Sequence, residues 1–281
     1  MKKKIIIDAQ NLVWRVAMSL SLHSTDGTDV SSLYGTLLSL SSWEKMFTSN
    51  DFYLCFDFGR NPERLSLYPN YKKREKDGDY DETVLKRIYS QVRMCEDVLN
   101  ELKFLVFKFP DTEADDIIST LSFMFSSEQC VIISTDGDFL QLISPNIDVY
   151  HPIKKELYTF ENFEEKLGLK LEDFVLYRSL VGDTSDNIPG VSGIGPARAK
   201  KVIASRVNGK FIENSTWTNR VRENLEIVER NMKLIKLGYH TDIGSKIREI
   251  LRQERTISLR EASRVLERYQ ISSIDITKFY T

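Results

Sequence analysis

Three short apolar runs in the chain end in acids: Ile5-Ile6-Ile7 in Asp8, Leu54-Cys55-Phe56 in Asp57, and Val131-Ile132-Ile133 in Ser134-Thr135-Asp136-Gly137-Asp138. Runs of this length and composition read as buried β-strands. In an open α/β sheet, ligands bind beyond the carboxyl ends of the parallel strands, so these acids are expected to converge there. Two further groups join them. Glu113-Ala114-Asp115-Asp116 opens a segment whose Ile117, Ile118, Leu121 and Phe125 trace a helix face. Three carboxylates then stand in a first turn where capping and the helix dipole need one or two. Asp183 and Asp186 stand three apart in Gly182-Asp183-Thr184-Ser185-Asp186-Asn187.

Each motif alone has a structural explanation, because an Asp after a strand is commonly a turn former or a helix cap. Together they form a set of nine carboxylates with no basic residue interleaved in their motifs. One such pair about 4 Å apart costs roughly 4 kcal/mol at an effective dielectric near 20. Divalent cations are the natural compensation, and oxygen donors without His or Cys favour Mg²⁺ or Mn²⁺ over zinc. His23, His151 and His240 are scattered along the chain. A two-ion site of this composition suits in-line displacement at phosphorus, one ion activating water and the other stabilising the leaving oxygen.

Two polar segments lie outside these motifs. Between Phe58 and Thr83 runs a long stretch with Pro62, Pro69 and Gly78, and loops of that length in compact domains usually carry function or are disordered. From Arg60 to Lys76 it holds six basic residues against two acidic ones, with Tyr68 and Tyr71 available to stack on bases. Gly190-Val-Ser-Gly-Ile-Gly195, followed by Pro196, Arg198, Lys200 and Lys201, reads as a hairpin entering a helix. Its glycines permit close backbone approach, and the helix start offers N–H groups to a phosphate.

The elements that must position these groups alternate. Apolar runs at Ile5 to Ile7, Phe52 to Phe56, Phe104 to Phe107 and Val131 to Ile133 are separated by helical stripes such as Leu33, Leu37, Leu40 and Phe47, or Leu85, Ile88, Val92, Cys95, Leu99 and Leu102. This alternation predicts an α/β fold with a mostly parallel central sheet flanked by helices. From about Gly168 the strand signals stop, which predicts a helical second region. Lys2-Lys3-Lys4 precedes an apolar run that stops at Asp8, far short of a secretory core or membrane span, so an intracellular, cytoplasmic protein is expected. Cys55, Cys95 and Cys130 are odd in number and lack metal-type spacing, as expected of reduced core thiols. The formal net charge of −2 leaves the question of nucleic acid to the distribution of charge.

Glu113-Ala-Asp-Asp116, Ser134-Thr-Asp-Gly-Asp138 and the run from Gly182 to Gly195 together resemble the 5′ nucleases, a family of bacteriophage flap endonucleases and ribonuclease H and the 5′ nuclease domain of bacterial DNA polymerase I. The resemblance runs from Asp8 to about Ala204. It implies a PIN-like catalytic domain over residues 1–167 with a basic arch loop at about 58–82. Residues 168–281 would be a DNA-binding region with a helix-hairpin-helix at about 175–205. By position, Asp8, Asp57, Glu113, Asp115, Asp116, Asp136 and Asp138, with Asp183 and Asp186, match the family's metal ligands for two Mg²⁺ ions. Arg15 matches a phosphate-binding arginine seven residues after the first Asp, although Ala9-Gln10 departs from the usual Gly-Ser or Gly-Thr. Tyr71-Lys72-Lys73-Arg74 resembles the family's Tyr-Lys-x-x-Arg with the arginine one residue early. Lys72 is therefore the expected catalytic cation at the scissile phosphate, Arg74 and Lys73 compete for a second such role that is assigned to Arg74, and Tyr71 and Lys73 are expected strand contacts. At the hairpin, Gly193, Gly195, Arg198, Lys200 and Lys201 would grip duplex backbone, with K⁺ bound there.

The implied substrates are DNA with 5′ flaps, nicks or RNA primers, acted on during replication, in the host cytoplasm if the chain is from a phage. A monomer is expected, meeting a sliding clamp or single-strand-binding protein. The tail, Ile274-Asp-Ile-Thr-Lys-Phe-Tyr-Thr281, could dock on such a clamp or pack back on the body. Two rivals are weighed. A non-catalytic junction binder would show lost ligands, and none of the nine is missing. A ribonuclease toxin of related fold would lack the hairpin and the helical region after it.

Overall fold

The computed structural model describes residues 2–73, 81–207, 210–211 and 215–280. Strand β1 (Lys4–Asp8) leads through α1 (Ala9–Ser19) and α2 (Ser31–Phe47) to β2 (Asp51–Cys55). Helices α3 (Pro62–Leu67) and α4 (Glu82–Glu101) precede β3 (Leu105–Phe107), and α5 (Ala114–Met124) crosses to β4 (Cys130–Ile133). A 3-10 turn at Gly137–Leu142 then leads to β5 (Ile147–His151) and β6 (Glu156–Tyr158). The sheet order is β3-β2-β1-β4-β5-β6, parallel except for β6. The chain winds outward from β1 to β3 and then returns to β4 on the other side of β1. That reversal makes the carboxyl ends of β1 and β4 a topological switch point, where the flanking loops part and leave a crevice.

The strands are apolar throughout because both faces of the sheet are covered. Successive side chains alternate faces. Ile5, Ile7, Phe52, Leu54, Val131 and Ile133 pack with residues of α1, α2 and α4. Ile6, Tyr53, Cys55, Cys130 and Ile132 pack on the other side with Ile117, Ile118 and Leu121 of α5. Each fully buried side chain of this size contributes about 1.5–3 kcal/mol. The three cysteines are reduced and buried.

After α6 (Phe163–Leu167) and α7 (Phe174–Val181), the two-residue strands β7 (Gly182–Asp183) and β8 (Ile188–Pro189) pair antiparallel. Then come α8 (Pro196–Ala204), the short pair β9 (Arg206–Val207) and β10 (Lys210–Phe211), α9 (Thr216–Glu223), α10 (Leu225–Ile235), α11 (Thr241–Leu251) and α12 (Leu259–Arg268). Leu180, Val191, Ile194, Ala199, Val202, Val221 and Val228 form a core of their own.

Three features differ from the sequence reading. β5 and β6 extend the sheet beyond the four runs expected. Residue 168 marks the end of the main strands and not the end of their core: Leu237, Ile243 and Ile247 pack beneath α5, and Ala262, Val265 and Leu266 pack beneath the opposite face. The tail is also part of that core. Ile274, Ile276 and Phe279 are buried, and the Phe279 ring lies 6.1 Å from Phe52 and 5.3 Å from Phe104. No helix among the described residues is long and apolar enough to cross a membrane.

Candidate active site

Seven of the nine acids line one crevice of about 1240 Å³: Asp8, Asp57, Glu113, Asp115, Asp136, Asp183 and Asp186. The strands deliver the first of them. Asp8 ends β1 and caps α1, accepting from the Asn11 N–H at 3.1 Å, and the Ser134 hydroxyl beyond β4 donates to it at 2.8 Å. Thr135 donates to Asn11 at 2.9 Å, so the switch point is bridged twice. Asp57, just past β2, accepts from the Ala114 N–H at 2.7 Å and thereby holds the start of α5. Asp136 caps the 3-10 turn and accepts from the Asp138 N–H at 2.8 Å.

The electrostatics carry the mark of this crowding. Burial, with Asp115 and Asp57 adding, pushes the Asp8 carboxyl up to about 7. Burial and Asp115 push Asp57 up to about 6. Asp186 is pushed up to about 7 by burial, against the pull of Lys72 and helped by Asp115 and Asp183. Asp136 is raised well above the usual range by burial, Asp115 and Asp138.

Cations already stand among the acids, contrary to the expectation of an uncompensated set. The Lys72 ammonium lies 3.5 Å from Glu113, 3.5 Å from Asp115 and 3.8 Å from Asp186. Its backbone is in the left-handed region at φ 50°, and its N–H donates to the Asp186 carbonyl at 2.9 Å. That costly conformation fixes the base of the long loop onto the Asp183–Asp186 turn. Arg178, on α7, donates through Nε to Asp138 at 2.6 Å and through Nη2 to Asp183. Among the described residues, no three acids stand close enough to hold an ion as their side chains now lie. Lys72 and Arg178 occupy the spaces between them.

Asp116 is not in the crevice. It is buried beneath α3, where Arg64 donates to it at 2.7 and 3.1 Å, Asn61 at 2.9 Å, and the His240 Nε2 lies 3.3 Å away. Burial would raise this carboxyl, but the His240 hydrogen bond and the Arg64 charge outweigh it and hold it at about 2. Arg64 also donates to Glu113 at 2.6 Å. Sequence reasoning counted Arg64 in the basic run without giving it a role and passed over Arg178. A lone arginine inside the apolar stretch Phe174-Val-Leu-Tyr-Arg178-Ser-Leu-Val181 was the available signal.

The sequence profile of the 5′-3′ exonuclease N-terminal resolvase-like domain matches residues 3–168. The chain belongs to the 5′-3′ exonuclease family. The 5′-3′ exonuclease of Aquifex aeolicus is 30% identical over 259 residues, 89% of this chain and 86% of that protein. DNA polymerase I of Bacillus caldotenax is 30% identical over 265 residues, 92% of this chain but 27% of the polymerase. Among solved structures, the T5 5′-exonuclease with divalent zinc ions superposes with a TM-score of 0.71, covering 99% of this chain and 100% of that one at 20% identity. This is the fold expected from the sequence, a mostly parallel sheet flanked by helices.

In this 5′-3′ exonuclease family member the expected nucleic-acid contacts divide. Lys73 is exposed and lines the crevice, as does Arg60. Arg74 lies outside the described residues. Tyr71 is not available for stacking: it is 1% exposed, packs on Ile188, Leu234 and Ile235, and donates to Glu113 at 2.9 Å. A side chain in core contact on all sides can shape the site but cannot reach a base. Arg15 is half-buried on α1, and burial lowers its affinity for the proton despite Asp8. Its Nε is buried without a hydrogen-bond partner in the described structure.

At the hairpin, Gly193 adopts φ 75°, the left-handed region where glycine is favoured, and Gly195 precedes α8 with open space where a side chain would stand. Arg198 and Lys201 are exposed, and the Arg198 guanidinium lies 3.9 Å from the Trp217 ring centroid. Lys200 departs from expectation, because its ammonium donates to the Leu167 carbonyl at the end of α6 and serves as a cap there. The carbonyls of Val191, Ser192 and Gly193, where the expected potassium would bind, accept from the Ile194 N–H, Arg220 and Arg198.

Proposed function

We propose that this chain is a divalent-metal-dependent 5′ nuclease that hydrolyses phosphodiester bonds at 5′ ends and at flaps, nicks or RNA primers in DNA and RNA–DNA hybrids. The observation that carries the reading is the convergence of seven acids from five separate segments on one crevice at the switch point. The donor set fits hard cations. Every candidate donor is a carboxylate, the buried Glu113 Oε1 has no hydrogen-bond partner among the described residues, and Asp8, Asp57 and Asp186 are each raised by burial and by the charge of Asp115, which a cation relieves. Asp8, Asp57, Glu113 and Asp115 would hold one Mg²⁺ or Mn²⁺ ion, and Asp136, Asp138, Asp183 and Asp186 a second. When bound, such ions supply an activated water and charge neutralisation at the leaving oxygen.

The chain's own cations do the rest. Lys72, released from Glu113, Asp115 and Asp186 as their charge is met, is placed to donate to a non-bridging oxygen of the scissile phosphate. Arg178 is freed from Asp138 and Asp183 by the same exchange. Arg74, two residues after Lys72, is assigned to the same phosphate, and Arg15 and Lys73 to the strand on either side. Arg198, Lys201 and the N–H groups at the start of α8 hold duplex backbone in helix-hairpin-helix fashion without reading sequence. Nucleic acid is the partner this arrangement needs. A sliding clamp would require another docking segment, since the tail is buried.

Incubation with flap, nicked and RNA-primed duplexes, with and without Mg²⁺, followed by end-group mapping, tests the reading. It expects products with 5′-phosphate and 3′-hydroxyl ends, formed only with the metal. Full activity in excess EDTA would refute it.

A further inference from the structure

The outer part of the crevice is built from residues to which hydrolysis gives no task. On α4, Tyr89, Arg93 and Glu96 are spaced by four and three residues, which makes one helical stripe, and all three line the crevice. Glu96 forms an ion pair with Lys108, and the Lys108 ammonium stands over the Phe58 ring, 5.0 Å from its centroid. Phe58 follows Asp57 directly and lines the same crevice, yet it is 52% exposed. Its backbone is held fast. The Phe58 N–H donates to the Thr112 carbonyl at 2.9 Å and the Thr112 N–H returns a bond at 3.2 Å, immediately before Glu113. A large aromatic is thus fixed at the lip between two carboxylate-bearing segments, and Tyr89, 56% exposed, stands further along the rim.

Exposed rings interleaved with cations are the surface that unpaired nucleic acid uses, the bases stacking while the charges follow the phosphates. Here the cations are Arg60, Arg93 and Lys108. Lys108 stands over one face of the Phe58 ring, and the half-exposed ring offers its open side to a base. We propose that Phe58 stacks a nucleobase next to the scissile phosphate and is a specificity-determining residue: it sets which phosphate of an unpaired strand enters the carboxylate site. This rests on the nuclease reading above. Phe58 seats the strand through its base, whereas the acids act on its backbone, so the two roles are separable.

The test is equilibrium binding by fluorescence anisotropy in EDTA, using a labelled duplex with a 5′ single-stranded extension, joined to mapping of the cut position in Mg²⁺. Phe58→Ala should weaken binding on the order of 10-fold, the worth of a single stacked base, and spread the cut over neighbouring phosphates. Phe58→Trp should restore both, while Phe58→Leu, which keeps bulk without a π face, should not. A series of substrates with one abasic position each should contain one position at which wild type loses the same factor and Phe58→Ala loses nothing further. Equal affinity and cut position for wild type and Phe58→Ala, or a penalty indifferent to abasic substitution at every position, would overturn the proposal. Absence of any cleavage by wild type would instead count against the nuclease reading, while the binding arm still decides the role of Phe58.

Discussion

Consecutive side chains on a helix point about 100° apart, and Asp115 and Asp116 part accordingly. Asp115 takes the side toward Lys72, and Asp116 turns under α3 to meet Arg64 and His240. Their substitutions should therefore diverge from those of the crevice acids. Asp116→Asn leaves the buried Arg64 guanidinium with Glu113 as its remaining counter-charge and should cost about 1.5–3 kcal/mol, read by urea denaturation of the metal-free protein. Asp8→Asn removes a carboxylate whose neighbours raise it, and should increase the melting temperature in EDTA while abolishing cleavage. If Asp116→Asn unfolds at the wild-type urea concentration, the buried pair is not the support described here. Asp138 differs from Asp116: it too pairs with an arginine, Arg178, but burial still raises its carboxyl above the usual range. How much of this was legible follows from the same residues. The acids that end strands were readable because an apolar run leads straight into each. Arg64 was not, because Glu113 and Asp116 lie 49 and 52 residues from it in sequence, and Arg178, although five residues before Asp183, also reaches Asp138 40 residues away, which only the fold brings near.

At the scale of elements, the sheet's inner strands were legible as unbroken apolar runs, a consequence of cover on both faces. β5 was missed because Ile147-Asp-Val-Tyr-His mixes polar residues into a short edge-side run, and β6 because Glu156-Leu-Tyr is only three residues long. Tyr71-Lys72 illustrates another limit. The motif was readable, but a chain reversal that buries the tyrosine and turns the lysine among the acids depends on the positive φ of Lys72 and on Ile188, Leu234 and Ile235. The hairpin yields a separable prediction. Arg198→Ala and Lys201→Ala should each weaken duplex binding across sequences and lower the slope of log affinity against log salt by about 0.9. Lys200→Ala should leave that slope nearly unchanged and lower stability modestly through the lost cap on α6. A salt titration of the three variants decides this, and an equal slope change for Lys200→Ala would return that residue to the interface. Likewise, Phe279→Ala should cost about 3–5 kcal/mol in denaturant unfolding, as a buried core aromatic does.

For the molecule as a whole, the crowded acids tie stability to pH and to metal. Asp8 and Asp186 stand at about 7 and Asp57 at about 6 in the fold, against roughly 3.9 for an unfolded Asp. Groups raised in this way favour the folded state most when protonated. Their contribution is complete below about pH 4 and is lost as pH rises through 6 to 7. Asp116, held at about 2, acts in the opposite sense, but its contribution is lost only as pH falls from about 4 through 2. Between pH 5 and 8 the raised acids therefore dominate, and thermal melts in EDTA should show a lower melting temperature at pH 8 than at pH 5. Mg²⁺ should recover that loss, by about 2.7 kcal/mol per site at one hundred times the dissociation constant. On the function proposed, the crevice is a divalent-cation centre made by its carboxylates. Calorimetric titration of Mg²⁺ into the metal-free protein at pH 6.5, in two buffers of different ionisation heat, measures it directly. A divalent-cation centre would show saturable binding with net proton release, because Asp8 and Asp186 must give up protons to become ligands, and would lose that binding in Asp136→Asn. Absence of binding in wild type, or binding with no proton release that Asp136→Asn leaves intact, would contradict it.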